Sequence, residues 1–156
     1  METYRGALVE FHDELAGHDV TWALTGSLNL ALRGLDVDPD DVDVMTDAEG
    51  ASTVGSVLEE RVVRPVARSR SREKRIESQF GALELGGVEV EVMGDVRHLV
   101  DGEWTAPIDV AAHREFLDVE ARAIPAMSLE HELTGYRELG REGRVARIER
   151  FLERIS

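Results

Sequence analysis

Cysteine is absent from the chain, so disulfide bonds and thiolate metal sites are excluded. No apolar run approaches the roughly 20 residues that a membrane-spanning helix needs. The N-terminal residues also lack the pattern of a secretory signal peptide. We therefore expect a cytoplasmic protein that makes no membrane contact.

Lysine is nearly absent as well. Lys74 stands beside 17 arginines and 32 acidic residues, and the formal net charge is -14. A surface this acidic repels nucleic acid unless a local patch overrides it. The composition resembles that of proteins from halophilic archaea, where high salt screens the self-repulsion. We favour that interpretation over a surface built to bind a basic partner.

The length and the hydrophobic share of 42% suit a single domain over residues 1–156. The periodicity of the apolar residues predicts helix, strand, helix, strand, helix, then further strands, then two helices. We expect an α+β fold with a mixed sheet of about 4–6 strands flanked by helices. The C-terminal helical part should cover about residues 128–156.

The boundaries follow from caps, glycines and apolar spacing. Helices are predicted over residues 3–17, 27–34, 47–61, 129–139 and 145–155. Strands are predicted over residues 20–24, 41–45, 80–85, 88–93, 115–119 and 123–126. The Gly86-Gly87 pair predicts a hairpin between two of them, and Gly94-Asp95 is expected to end the second.

Residues 22–46 carry the pattern with the most chemical content. An apolar strand runs into Gly26-Ser27, a short helix follows, and Pro39 precedes a strand with Asp41 and Asp43. Val42 and Val44 alternate with the two aspartates, so one strand face is apolar and the other is doubly charged. A glycine at the start of a helix lets backbone amides approach a phosphate, and the hydroxyl of Ser27 adds a donor.

Two acidic residues at this spacing are weak evidence on their own. With 32 acidic residues in the chain, chance alone gives about six such pairs. The alternative is that Asp41 and Asp43 are solvated residues on an acidic surface. The ordered combination of strand, glycine turn, helix and one-sided charged strand favours a site for metal ions and phosphates.

This pattern resembles the nucleotidyltransferase fold superfamily, which includes DNA polymerase beta and the antibiotic nucleotidyltransferases. The resemblance is closest over residues 20–45 and extends loosely to most of the chain. It implies a third carboxylate from a neighbouring strand, and Glu91 within Val88-Glu-Val-Glu-Val-Met is our first choice. Glu89 lies on the same strand face and stays open.

The resemblance also implies the cofactors and the reaction. Asp41, Asp43 and Glu91 would bind Mg²⁺ or Mn²⁺ and act as the catalytic residues. An NTP, with ATP first among the candidates, would donate NMP to a hydroxyl of a small molecule, an RNA or a protein. Gly26 and Ser27 would bind the nucleotide, and Arg33 could reach a phosphate, although a solvated helix end is the simpler expectation for it.

Two further interpretations concern the remaining charged residues and partners. Within the basic tract of residues 61–75, the segment from Arg68 to Arg75 could contact a triphosphate or an anionic acceptor such as RNA, or it could be a mobile loop whose arginines pair with surface acids. His98 follows the strand of Glu91 and could lie near the site, although a surface role is the simpler expectation. The rival to an enzyme is a catalytically weak nucleotide-binding or antitoxin-like module of the same fold, acting with a helical protein partner.

Overall fold

The computed structural model describes all residues from Met1 to Ser156. Its centre is one mixed sheet of eight strands in the order β3-β4-β5-β2-β1-β8-β7, with β6 paired to β5. The strands are β1 (Trp22–Thr25), β2 (Val42–Thr46), β3 (Val62–Ser71), β4 (Ile76–Leu85), β5 (Val88–Val100), β6 (Glu103–Trp104), β7 (Arg114–Val119) and β8 (Arg122–Met127). β2 is parallel to β5 and β1 is parallel to β8, while the other pairs are antiparallel.

Six α-helices flank the sheet. They are α1 (Glu2–Leu15), α2 (Gly26–Leu32), α3 (Ala48–Val57), α4 (Val110–His113), α5 (Leu129–Glu138) and α6 (Glu142–Ile155). Side-chain caps fix several starts: Asp47 accepts from the amide of Gly50, and Ser128 accepts from the amide of His131. No helix is long and apolar enough to cross a membrane.

The main core lies between one face of the sheet and helices α1 and α3. Phe11 packs edge-on against Trp22 with ring centroids 4.9 Å apart, and Val42, Val44 and Val90 are fully buried in the same cluster. A smaller core centred on Leu30 and Ile148 joins α2 to α6. Because side chains alternate along a strand, the residues between these valines face the opposite side of the sheet, where the acidic groups lie.

The fold class agrees with the α+β expectation, but the sheet is larger than predicted. The basic tract is a loop only in part. Its residues up to Ser71 belong to β3, paired with β4 from Val62↔Leu83 to Ser71↔Ile76, and residues 72–75 form the turn between the two strands. Arginines alternate there with small residues, and the arginines on one face are neutralised by Glu77 of β4. These ion pairs offset the repulsion between the arginines, so that the arginine-rich segment can form an additional edge strand of the sheet.

Two boundaries also differ from the prediction. β5 does not end at Gly94-Asp95 but continues to Val100. Asp95 takes a positive φ of 50°, and the pairing with β4 shifts its register between Glu77 and Gln79. The strand therefore continues beyond Gly94-Asp95, and its pairing with β4 is irregular at this point. Helix α3 ends at Val57, earlier than expected, and a single 3₁₀ turn leads into β3.

Candidate active site

Three carboxylates from two adjacent strands meet on the open face of the sheet. Asp43 in β2 lies directly beside Glu91 of the parallel strand β5, and Asp41 immediately precedes β2. Ligand oxygens of Asp41, Asp43 and Glu91 all lie within 4.8 Å of one another. We call these three residues the carboxylate cluster. Glu89 is exposed and is not a member.

The cluster brings like charges together in a partly buried place. Burial, reinforced by repulsion from Asp41 and Glu91, raises the pKa of Asp43 to about 9. Burial also raises the pKa of Asp41 and of Glu91 above their ordinary values. None of the three forms an ion pair with an arginine, lysine or histidine.

This donor set fits a hard divalent cation. Two carboxylates about 4 Å apart repel by on the order of 4 kcal/mol at an effective dielectric near 20, and a bound cation removes that cost. Mg²⁺ and Mn²⁺ prefer such oxygen ligands and are commonly shared between carboxylates and substrate phosphates. The carboxylate cluster is therefore a candidate metal site, since the side chains of the protein leave it without a counter-charge.

Gly26 is required beside the cluster for a steric reason. It begins α2 with φ +77°, and a Cβ at this position would lie 2.6 Å from Oδ2 of Asp43. A side chain here would push that carboxylate out of place. The amide of Gly26 already donates to Oε2 of Glu132 at 2.8 Å, so the glycine both leaves room for Asp43 and binds a carboxylate of α5.

Sequence reasoning missed Glu132. This residue is only 4% exposed, its Oε1 accepts from the hydroxyl of Thr25, and burial raises its pKa to about 7. It ties α5 to the end of β1. Its one sequence signal is position: Glu132 falls on the same helix face as Leu129, Leu133 and Tyr136, where an unpaired charge is unusual.

The side chains of the other two predicted nucleotide contacts, Ser27 and Arg33, bind partners within the protein. The hydroxyl of Ser27 donates to Oδ1 of Asp40 at 3.0 Å, which fixes the loop that precedes β2. Arg33 does not line the cleft. Its guanidinium donates to Oδ1 of Asn29 and to the carbonyl of Met127, and it pairs with Glu115.

The cluster opens into a cleft of about 590 Å³ between the sheet and α5. Asp43 and Glu91 line one end, and Arg64, Lys74 and Arg141 are the cationic residues of its lining. His98 also lines it. Contrary to the expected surface role, His98 is 4% exposed and its Nδ1 lies 2.8 Å from Oε1 of Glu138.

Comparisons with known proteins show similarity over most of the chain. The family model described as aminoglycoside-2''-adenylyltransferase matches residues 7–150. A crystal structure of TM1012 from Thermotoga maritima, assigned as a nucleotidyltransferase, is 35% identical with a TM-score of 0.80, over 94% of this chain and 91% of that one. A search of curated protein sequences gives no match.

More distant solved structures share the fold. ANT(2'')-Ia in complex with adenylyl-2''-tobramycin has 13% identity and a TM-score of 0.56, over 86% of this chain and 74% of that one. The lincosamide adenylyltransferase LnuA, bound to lincomycin, has 16% identity and a TM-score of 0.54, over 92% and 94% of the two chains.

Proposed function

The chain belongs to the aminoglycoside-2''-adenylyltransferase family of nucleotidyltransferases, and from this premise we propose that it transfers NMP from an NTP to an acceptor hydroxyl. AMP from ATP is the first candidate. One observation carries the proposal: Asp41, Asp43 and Glu91 converge on the open face of the sheet without any cationic partner. Three carboxylates held together without a counter-charge cost free energy, and a bound cation would recover it.

Each residue of the site takes a distinct part in this proposal. Asp41 and Asp43 would hold Mg²⁺ or Mn²⁺ together with Glu91, and the cation when bound supplies charge neutralisation of the phosphates. Gly26 keeps Asp43 in place, because any side chain at Gly26 would collide with it. Ser27, at the same turn, would act indirectly, because its buried hydroxyl holds Asp40 and with it the loop that leads to Asp41.

The chemical step is a substitution at the α-phosphorus. The acceptor oxygen forms a new bond to that phosphorus, and the bond between the α-phosphorus and the bridging oxygen to the β-phosphate breaks. Pyrophosphate leaves with that bridging oxygen and its electron pair. Glu91 would accept the proton that the acceptor hydroxyl loses, which balances the step.

The proposal is tested by incubating the protein with α-labelled ATP, Mg²⁺ and a panel of hydroxyl acceptors, at low and high KCl. We expect label to appear on an acceptor with release of pyrophosphate. The Asp41→Asn, Asp43→Asn double variant should lose this transfer, while Glu89→Gln keeps it. Transfer that persists in the double variant contradicts the mechanism, and tight binding of ATP without turnover favours the nucleotide-binding module instead.

A further inference from the structure

Glu132 is a buried carboxylate that the proposed reaction does not use. It lies near the start of α5, is 4% exposed, and has both of its oxygens occupied inside the protein. Oε1 accepts from the hydroxyl of Thr25, and Oε2 accepts from the amide of Gly26 at 2.8 Å. A buried carboxylate is costly unless such donors satisfy it. The two donors therefore explain how Glu132 is tolerated, and their place in the fold indicates what it does.

Both partners of Glu132 are immediate neighbours of Asp43. Thr25 ends β1 and is the cross-strand partner of Asp43 in the antiparallel pair of β1 and β2. Gly26 comes next, and a Cβ built on it would lie 2.6 Å from Oδ2 of Asp43, so the backbone of this turn borders the carboxylate directly. One buried side chain of α5 thus holds the two residues that border Asp43 on this side.

The carboxylate of Asp43 depends on such packing for its position. It forms no ion pair with a cationic side chain, and the other members of the carboxylate cluster repel it. Its orientation is therefore set by the groups that border it. Gly26 is one such group, so the place of its turn limits where Oδ2 can lie.

The helix that carries Glu132 is fixed at this point by other contacts. Ser128 caps the start of α5, and its carbonyl accepts from the amide of Glu132 at 3.0 Å. The carbonyl of Met127, one residue earlier, accepts from Nδ2 of Asn29 at 2.9 Å and from the guanidinium of Arg33 at 3.0 Å. Because these contacts secure this end of α5, the carboxylate of Glu132 is a fixed point to which the turn before α2 is tied.

Resting on the proposed nucleotidyl transfer and its metal site, we propose that Glu132 is a positioning residue, which holds the turn of Thr25 and Gly26 against Asp43 and so sets the geometry in which Asp43 binds the cation. In this role Glu132 touches neither the metal nor the substrate. Removing a residue that orients a metal ligand typically costs about 10–100-fold in metal affinity or activity. Because Glu132 acts through the turn, we expect the lower end of that range.

The affinity for Mn²⁺ without nucleotide is the direct measurement, followed by electron paramagnetic resonance of the free ion. Glu132→Ala removes both hydrogen bonds and should lower Mn²⁺ affinity about tenfold. Glu132→Gln keeps the length of the side chain, and its amide can accept from Gly26 and donate to the hydroxyl oxygen of Thr25. Its Mn²⁺ affinity should therefore stay within about threefold of wild type. Glu130→Ala is the control at an exposed position of the same helix, and it should bind Mn²⁺ like wild type.

The labelled-ATP assay separates positioning from proton transfer. If Glu132 exchanged a proton with the acceptor, Glu132→Ala and Glu132→Gln would lose the reaction equally, because neither side chain can take up that proton. If Glu132 positions the turn, Glu132→Gln retains most of the transfer that Glu132→Ala loses.

A second pair of variants tests the same contact from the other side. Thr25→Val removes the hydroxyl that donates to Glu132 and keeps the shape of the side chain, whereas Thr25→Ser keeps the hydroxyl. We expect Thr25→Val to lower Mn²⁺ affinity, by less than Glu132→Ala because the contact with Gly26 remains, and Thr25→Ser to keep the wild-type affinity. Circular dichroism establishes that each variant is folded, and the Thr25 pair decides the question if Glu132→Ala is not.

Two results overturn the proposal. One is unchanged Mn²⁺ affinity in folded Glu132→Ala, or in Thr25→Val where Glu132→Ala is unfolded, which would leave Glu132 a structural residue only. The other is a loss of transfer in Glu132→Gln as complete as in Glu132→Ala, which would assign proton transfer to Glu132. A wild-type chain that binds Mn²⁺ but transfers no label refutes the proposed function alone, since the Mn²⁺ comparison still tests Glu132. A wild-type chain that binds no Mn²⁺ refutes both.

Discussion

Two acidic centres lie on neighbouring strands of one sheet and are built in opposite ways. On the face away from the cleft, the single carboxylate of Glu77 meets Arg68 at 2.6 Å, Arg70 at 3.0 Å and Arg97 at 3.8 Å. On the cleft face, the three residues of the carboxylate cluster meet no cationic side chain. One centre has an excess of positive partners and the other has none.

The pKa values move in opposite directions for this reason. Burial acts to raise the pKa of Glu77, but Arg68 and Arg70 outweigh it and hold that pKa below its ordinary value. At Asp43, burial and the neighbouring carboxylates act in the same direction and raise the pKa. The Glu77 centre is complete in the folded chain, whereas the carboxylate cluster becomes favourable when a ligand supplies positive charge.

The largest expected effect comes from displacing one member of the cluster. Gly26→Ala places a methyl group 2.6 Å from Oδ2 of Asp43, and a shift of about 1 Å in a reacting group can cost about 100-fold in rate. We expect a fall of that order in kcat/KM for ATP. Gly86→Ala is the control, since Gly86 also has positive φ but nothing within 4 Å of its Cβ. Equal activity of the two variants would refute the steric role.

Removing the carboxylate charge of Glu77 should reduce stability and leave nucleotidyl transfer intact. Glu77→Gln leaves three arginines without their carboxylate, and we expect a loss of about 1–3 kcal/mol in the free energy of unfolding. Since the pKa of Glu77 is lowered on folding, this contribution is present above its ordinary value and disappears as pH falls. Urea unfolding at neutral and acidic pH measures this contribution to the free energy of unfolding. If Glu77→Gln lost nucleotidyl transfer but no stability, Glu77 would have a catalytic and not a stabilising role.

Glu132 is a third type of acidic site, buried among neutral donors, and it predicts a pH effect. Its pKa rises from 4.5 to about 7 on folding. Between these values the folded chain keeps a proton that the unfolded chain releases, so stability falls as pH rises through this window. Glu132→Gln should flatten that fall in thermal unfolding. Glu130→Gln, at an exposed position of the same helix, should leave the pH dependence of stability unchanged. An equal pH dependence in the two variants would contradict this role of Glu132.

The smallest effect is expected just outside the cluster. Glu89 is exposed and shares its strand with Glu91, so it was the alternative third carboxylate. We expect Glu89→Gln to change transfer by less than about threefold, since exposed charges are screened. The matched variant Glu91→Gln removes a member of the cluster, and we expect it to lower transfer about as much as Gly26→Ala does. The reverse order in the labelled-ATP assay would move the third ligand to Glu89.

The sequence was most informative where local pattern alone fixes geometry. Alternation of valine and aspartate over residues 41–44 placed the charges on one strand face, and Gly26-Ser27 marked the turn opposite them. The pairing of Asp43 with Glu91 could be expected only from the family resemblance. It depends on which strands are neighbours, and neither residue's local sequence contains that information.

The parts that were missed all depend on distant partners. The arginines of β3 suggested a loop, because the buried Glu77 and the cation–π partners Phe80 and Trp104 lie on later strands. Glu132 became visible only when Thr25 and Gly26 were placed beside it. His98 was expected at the surface, since its partner Glu138 is 40 residues away in sequence.

We expect the carboxylate cluster to bind a divalent cation and the Glu77 centre not to bind one. Mn²⁺ binding, followed by electron paramagnetic resonance of the free ion, compares the two centres directly in wild type, Asp43→Asn and Glu77→Gln. We expect wild type and Glu77→Gln to bind Mn²⁺ with equal affinity, and Asp43→Asn to lose about tenfold or more in Mn²⁺ affinity. Equal Mn²⁺ affinity in all three proteins would contradict this expectation.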